Sequence, residues 1–118
     1  MFKLIRDKIP ELAKKDNKVL NYATVENVEL YNGLLRSKFA EEASEFLNSG
    51  DISELVDVFT VIKAIVKAAG LSEDDFNKLY QEKLDTKGGF EKHYMGFFPD
   101  KPADEPITAT VTTTPATK

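Results

Sequence analysis

Apolar side chains recur at helical spacing through the middle of the chain. From residue 28 they advance by three, four, four and then seven residues, which is two helical turns, and this places them on one face of a helix. The stripe consists of Val28, Tyr31, Leu35, Phe39 and Phe46. Asn48, Ser49 and Gly50 come after it, and glycine suits the left-handed residue that follows a helix. The pattern therefore predicts one long helix that ends at this glycine.

A second helix follows at once. Asp51 and Ser53 are both suited to cap its start, and its apolar pattern continues to Ala69, where Gly70 stops it. Because so few residues connect the two helices, we expect them to pack side by side as an antiparallel hairpin. This hairpin is the centre of the predicted all-α fold.

A third helix has the clearest start signal of the chain. Ser72 and Asp75 have the spacing of a capping box, in which a hydroxyl accepts a hydrogen bond from the backbone three residues on. The helical pattern then runs to about Thr86, and Gly88 and Gly89 break it.

The two ends of the chain differ from this helical middle. Residues 7–15 predict a short helix with Pro10 in its first turn, and residues 19–25 alternate weakly in the manner of a short strand. Four of the five prolines and six threonines fall after residue 98. We therefore predict one all-α domain over residues 1–98 and a disordered tail, rich in threonine and proline, over residues 99–118.

Composition narrows the classes of function. The chain has 118 residues, 16 Lys and Arg against 20 Asp and Glu, a net charge of −4, no cysteine and one histidine. The acidic excess disfavours a nucleic-acid partner, and the lack of cysteine excludes disulfides, thiolate metal sites and thiol nucleophiles. No apolar run approaches the roughly 18–20 residues of a membrane helix. We therefore expect a cytoplasmic protein with neither a membrane nor a nucleic-acid partner.

Two acidic residues interrupt the apolar stripes. Glu42 lies in the stripe of the first long helix, and Glu54 begins the stripe of the second. Each has another acid three residues on, Glu45 and Asp57, and this spacing places both acids on one side of a helix. A carboxylate held out of water costs several kcal/mol unless it is paired or bound to a cation. The pattern therefore indicates acids that need a positive partner.

Antiparallel packing brings these two pairs of acids towards each other. Four carboxylates at one point repel strongly, and a hard divalent cation removes that conflict. Oxygen ligands without His or Cys favour Mg²⁺ or Mn²⁺ over Zn²⁺. The residues alone leave open the alternative that these helices present their acids to solvent. They also leave open whether Glu41 is a ligand or a solvated neighbour.

The basic residues indicate which kind of ligand such a metal would help to bind. The candidates are Arg6, Lys8, Lys38, Lys83 and Lys87. Mg²⁺, several Lys or Arg side chains and a Gly-Gly loop are groups that together hold a triphosphate. Taken singly, each of these lysines is also what an ordinary protein surface carries, so their role depends on the metal site.

Sequence motifs connect these residues to a known family. EExxE at residues 41–45 and ExxD at residues 54–57 fall on the two helices of the hairpin. The opening KLIRDKIPE at residues 3–11 and the KGGF stretch at residues 87–90 flank them. With these motifs the chain resembles the all-α NTP pyrophosphatase superfamily, and it looks most like the MazG-like and phosphoribosyl-ATP pyrophosphohydrolase-like branch. The likeness spans roughly residues 2–95.

The resemblance implies hydrolysis of a nucleoside triphosphate, or of a phosphoribosyl-ATP-like nucleotide, to the monophosphate and pyrophosphate. It assigns Mg²⁺, or Mn²⁺, to Glu42, Glu45, Glu54 and Asp57. It assigns catalytic roles to Glu41, Glu45 and Lys38, with Glu41 or Glu45 as proton acceptor, and substrate contacts to Arg6, Lys8, Lys83 and Lys87. It also implies a homodimer or homotetramer in which helix pairs complete a four-helix bundle.

Two other functions stay open at this point. The same fold suits a catalytically inactive helical interaction module, and it suits a metal-dependent protein that binds a nucleotide without hydrolysing it. Release of pyrophosphate from a panel of nucleotides distinguishes the three.

Overall fold

The described part of the chain is built from helices alone. In this computed structural model, residues 2–98 and residue 110 are described, and they contain four helices and no strand. The helices are α1 (Ile9–Lys15), α2 (Val28–Ser49), α3 (Ile52–Ala68) and α4 (Glu73–Lys87). The all-α prediction is confirmed. The predicted tail at residues 99–118 lies outside the described residues except for residue 110, so the domain boundary stays a prediction.

The predicted strand at residues 19–25 is wrong. This segment connects α1 to α2 without regular secondary structure. A strand needs a neighbouring strand to receive and supply its backbone hydrogen bonds, and the described residues offer none. Leu20 and Val25 are half-buried while the residues between them are exposed, so the weak alternation does not mark a buried face.

Local capping explains where the two long helices begin and end. Asn27 precedes α2, and its side-chain oxygen accepts a hydrogen bond from the backbone N–H of Leu30 at 2.9 Å. Gly50 ends α2 in the left-handed conformation, with φ of 67°. Asp51 rather than Ser53 caps α3, because the Asp51 carboxylate accepts from the backbone N–H of Ser53 at 3.0 Å. One glycine and one aspartate therefore make the whole turn between α2 and α3.

The two shorter helices follow the same logic. The Ser72 hydroxyl accepts from the backbone N–H of Asp75 at 3.1 Å and caps α4, which continues one residue beyond the predicted end to Lys87. Pro10 lies in the first turn of α1. Backbone N–H groups there have no partner within the helix, so the N–H that proline lacks is not needed. The predicted starts of these helices are confirmed to within two residues.

The hairpin of α2 and α3 is the packing centre of the fold. These two helices contact each other along their lengths, α4 contacts α3 more lightly, and α1 packs against none of the other helices. Leu35 of α2 and Val61 of α3 are the buried apolar residues of the described part, and Glu42 is buried as well. None of the described helices combines the length and the apolarity that crossing a bilayer demands.

We expect opposite effects from the same substitution at two glycines of α2. Gly50→Ala places a side chain at a positive φ and lowers the free energy of unfolding by about 1 kcal/mol. Gly33→Ala lies within the helix, where an added Cβ meets open space, and raises the free energy of unfolding by roughly 0.5–1 kcal/mol. Urea unfolding followed by circular dichroism, at one fixed protein concentration, measures both. An unchanged or raised unfolding midpoint for Gly50→Ala contradicts the assigned role of this turn.

Candidate metal centre

Glu42 is a buried carboxylate with one oxygen unpartnered. The residue is 7% exposed, comparable to its neighbour Leu35, which lies two turns earlier on α2. One carboxylate oxygen, Oε1, forms a salt bridge with Nζ of Lys38 at 3.2 Å, while the other, Oε2, is buried without a hydrogen-bond partner among the described residues. Buried polar atoms are nearly always satisfied, and leaving one unpaired costs about 1–3 kcal/mol. The free oxygen is therefore the kind of atom that a cation coordinates.

Two acids of α3 meet Glu42 across the hairpin. Glu54 and Asp57 lie in the first two turns of α3 and are both half-buried. One carboxylate oxygen from each of them and one from Glu42 lie within 4.8 Å of one another. Oxygen ligands of Mg²⁺ at about 2.0–2.1 Å from the ion stand roughly 3–4 Å apart, so the separations in this trio are close to those of a coordinating set. We call these three residues the inner acid cluster.

Glu45 lies next to this cluster rather than inside it. It is exposed, and its carboxylate lies within 4.8 Å of those of Glu41 and Glu42. The negative charge of Glu42 raises the pKa of the Glu45 carboxyl above its ordinary value, and loss of solvation and the charge of Glu54 add to this effect. Glu42 is thus common to both groups of acids, and the four acids predicted to hold a metal lie at one end of the hairpin.

Three cations lie against these acids. Arg6 forms a salt bridge with Asp57, Lys38 reaches Glu42 and Glu41, and Lys3 forms a salt bridge with Glu41 at 3.1 Å. The hydrogen bond from Lys3, together with the charge of Lys38, lowers the pKa of the Glu41 carboxyl. Glu41 is therefore an acid paired with two lysines, whereas Glu45 forms no salt bridge in the described part of the chain.

The remaining predicted basic residues form no salt bridge with an acid of the described part of the chain. Lys8 precedes α1, while Lys83 and Lys87 belong to α4, and all three are exposed. Within residues 2–98 none of them forms an ion pair, whereas Arg6 and Lys38 both do. Contact with the acids thus separates the five basic candidates into two that lie at the cluster and three whose role stays a prediction.

Two residues at the site escaped the sequence reasoning. Lys3 contacts Glu41, and the Thr60 hydroxyl lies 3.4 Å from the Arg6 guanidinium. A sequence signal existed for each of them. Lys3 is three residues before Arg6 in the same basic segment, and Thr60 is three residues after Asp57, which puts it on the same side of α3.

Comparison with known proteins adds no relative of this chain. No family model matches the sequence, and no curated protein or solved structure matches it either. The likeness to the MazG-like branch therefore stays a prediction from its motifs.

We expect a divalent cation to stabilise the folded chain through Glu42. Mg²⁺ or Mn²⁺ at about one hundred times its Kd adds roughly 2.7 kcal/mol to the free energy of unfolding, because the ion binds the folded state alone. Tm therefore rises by several degrees in the wild type, and Glu42→Gln, which removes the central negative charge, abolishes the rise. Thermal unfolding with each ion and with a chelator measures this.

Glu82→Gln is the matched control for this experiment. It makes the same change at an exposed acid of α4 outside the cluster, and it should keep the full rise in Tm. An equal rise in Glu42→Gln and wild type contradicts the site.

Proposed function

We propose that this chain is a Mg²⁺-dependent nucleotide pyrophosphohydrolase, which cleaves a nucleoside triphosphate or a related nucleotide to the monophosphate and pyrophosphate. The observation that carries the proposal is the buried Glu42, whose Oε2 has no hydrogen-bond partner in the described part of the chain and whose carboxylate lies close to those of Glu54 and Asp57. A set of carboxylate oxygens without His or Cys suits Mg²⁺ or Mn²⁺. The EExxE and ExxD motifs supply the substrate class.

Glu42, Glu54 and Asp57 would hold the ion, with Glu45 beside them. A bound Mg²⁺ supplies positive charge to phosphate oxygens and lowers the pKa of a coordinated water. Side chains of this protein would accept the proton and offset the phosphate charge, and no covalent intermediate is required.

Glu45 is the better proton acceptor of the two candidates. A general base needs a carboxylate that is free to accept a proton, and Glu45 forms no salt bridge in the described part of the chain. Glu41 has the opposite environment, because Lys3 and Lys38 lower its pKa. We propose that Glu45 takes the proton of the attacking water, while Glu41 holds the two lysines in place.

Arg6 and Lys38 are the cations that contact the inner acid cluster, and we propose that they offset the negative charge of the phosphates. Their charges lie on two sides of the inner acid cluster, since Arg6 contacts Asp57 on α3 and Lys38 contacts Glu42 on α2. Lys8, Lys83 and Lys87 retain the substrate contacts that the family resemblance assigns to them.

We expect pyrophosphate release from a panel of NTPs and dNTPs in the presence of Mg²⁺, and none with a chelator. Glu42→Gln and Asp57→Asn each remove one proposed ligand and should lower kcat/KM by about 100-fold or more. Asp74→Asn neutralises an exposed acid of α4 and should leave kcat/KM unchanged. Adding phosphoribosyl-ATP to the panel separates that substrate from ordinary nucleotides.

Other outcomes of this assay favour the alternative functions. Tight nucleotide binding without pyrophosphate release favours a binding protein. Neither binding nor release, with all substrates and both ions, favours a helical interaction module and contradicts the proposal.

We also propose that the chain works as a homodimer or homotetramer in which helix pairs form a four-helix bundle. The supporting observation is a row of exposed apolar side chains on α3. Ile52, Val56 and Phe59 follow one another at steps of four and three residues, and they are 70%, 60% and 57% exposed. A small domain that leaves such a row in water gains stability when another chain covers it.

Sedimentation velocity tests this assembly. We expect the wild type to sediment as two or four chains, and Val56→Gln, which puts a polar side chain in the middle of the row, to shift it towards the monomer. Val19→Gln is the control, because Val19 is 94% exposed in the segment between α1 and α2. A wild type that sediments as a monomer at all concentrations contradicts the assembly.

A further inference from the structure

A short segment before α1 joins the two helices of the hairpin by ion pairs. We call residues 3–6 the N-terminal strap. Lys3 contacts Glu41 on α2, and Arg6 contacts Asp57 on α3, which lies 51 residues further along the chain. The strap thus contacts both helices of the hairpin through these two ion pairs, whereas α1 packs against none of the other helices.

Arg6 and a metal ion would compete for the same acid. Asp57 accepts from the Arg6 guanidinium, and a carboxylate oxygen of Asp57 also belongs to the inner acid cluster. A divalent cation bound there would bring a second positive charge close to the guanidinium, and like charges at such short range repel. The structure thus places an internal cation on an acid that the proposed metal requires.

The three cations of the site differ in their exposure and in the acid that each one contacts. The Lys38 side chain is 19% exposed and contacts Oε1 of Glu42, away from the unpartnered oxygen. Lys3 contacts Glu41, which is not part of the inner acid cluster. The Arg6 side chain is 53% exposed, and besides Asp57 it has one long hydrogen bond, 3.4 Å to the hydroxyl of Thr60. Of the three cations, Arg6 is therefore the one that is both largely exposed and in contact with the inner acid cluster.

We propose that Arg6 is the counter-ion of Asp57 when no metal is bound, and that a divalent cation displaces it and frees its guanidinium for the phosphates. The inference rests on the metal site of the proposed function. It adds an order of events, in which the metal binds first and Arg6 becomes available for the substrate.

Metal affinity tests the competition directly. Arg6→Gln removes the competing charge, so it should bind Mn²⁺ about two- to fivefold more tightly than the wild type, the range expected for losing an exposed ion pair. Paramagnetic resonance of free Mn²⁺ measures the affinity without any substrate. Lys15→Gln removes one charge from the exposed end of α1 and should bind as the wild type does. Equal or weaker binding by Arg6→Gln overturns the proposal.

Chemical labelling of arginine tests the movement. The chain has two arginines, Arg6 and the exposed Arg36 of α2, which forms no ion pair in the described part. Phenylglyoxal modifies free guanidinium groups, and mass spectrometry reports the rate at each arginine. Saturating Mn²⁺ should raise the rate at Arg6 at least about twofold and leave Arg36 as an internal reference. An unchanged or lowered rate at Arg6 overturns the proposal.

The two experiments also separate this inference from the proposed function. If the wild type and Glu42→Gln bind Mn²⁺ equally weakly, the metal site is absent and both proposals fail. If Glu42→Gln weakens Mn²⁺ binding while Arg6→Gln does not strengthen it, the metal site stands and the role of Arg6 as displaceable counter-ion is wrong.

Discussion

The account depends on one buried negative charge, that of Glu42 between α2 and α3. A hydrophobic residue at this position would have extended the small core of the hairpin at no electrostatic cost. The carboxylate instead has one oxygen paired with Lys38 and one without a hydrogen-bond partner among residues 2–98, and it lies close to two acids of the facing helix. An arrangement that disfavours the isolated fold in this way is typical of a site built to receive a cation.

The rest of the described fold serves to keep those acids together. Because Gly50 and Asp51 alone connect the helices, the end of α2 and the start of α3 are held side by side, and acids three to eight residues from the turn face each other. Leu35 and Val61 lie further along the hairpin and are its buried apolar residues. The apolar row of α3 is the surface that a second chain would cover in the proposed assembly. The hairpin of α2 and α3 therefore provides both the main packing of the fold and the candidate metal site.

Much of this was predictable because it depends on local rules. Capping residues and glycines predicted where the helices begin and end. The position of Glu42 in an apolar stripe predicted a cluster of acids between the two long helices. The strand at residues 19–25 was wrong because a strand requires a partner, and no local pattern reports whether one exists. The contacts of Lys3 and Arg6 join residues 38 and 51 positions apart, so only the folded chain brings them to their acids.

Crystals grown with Mn²⁺ test the central claim most directly, because the anomalous scattering of the ion locates it without reference to activity. The account predicts an anomalous peak within about 2.5 Å of carboxylate oxygens of Glu42, Glu54 and Asp57, with Oε2 of Glu42 among them. Diffraction that shows no peak at these residues, and a protein donor hydrogen-bonded to that oxygen in its place, would contradict it.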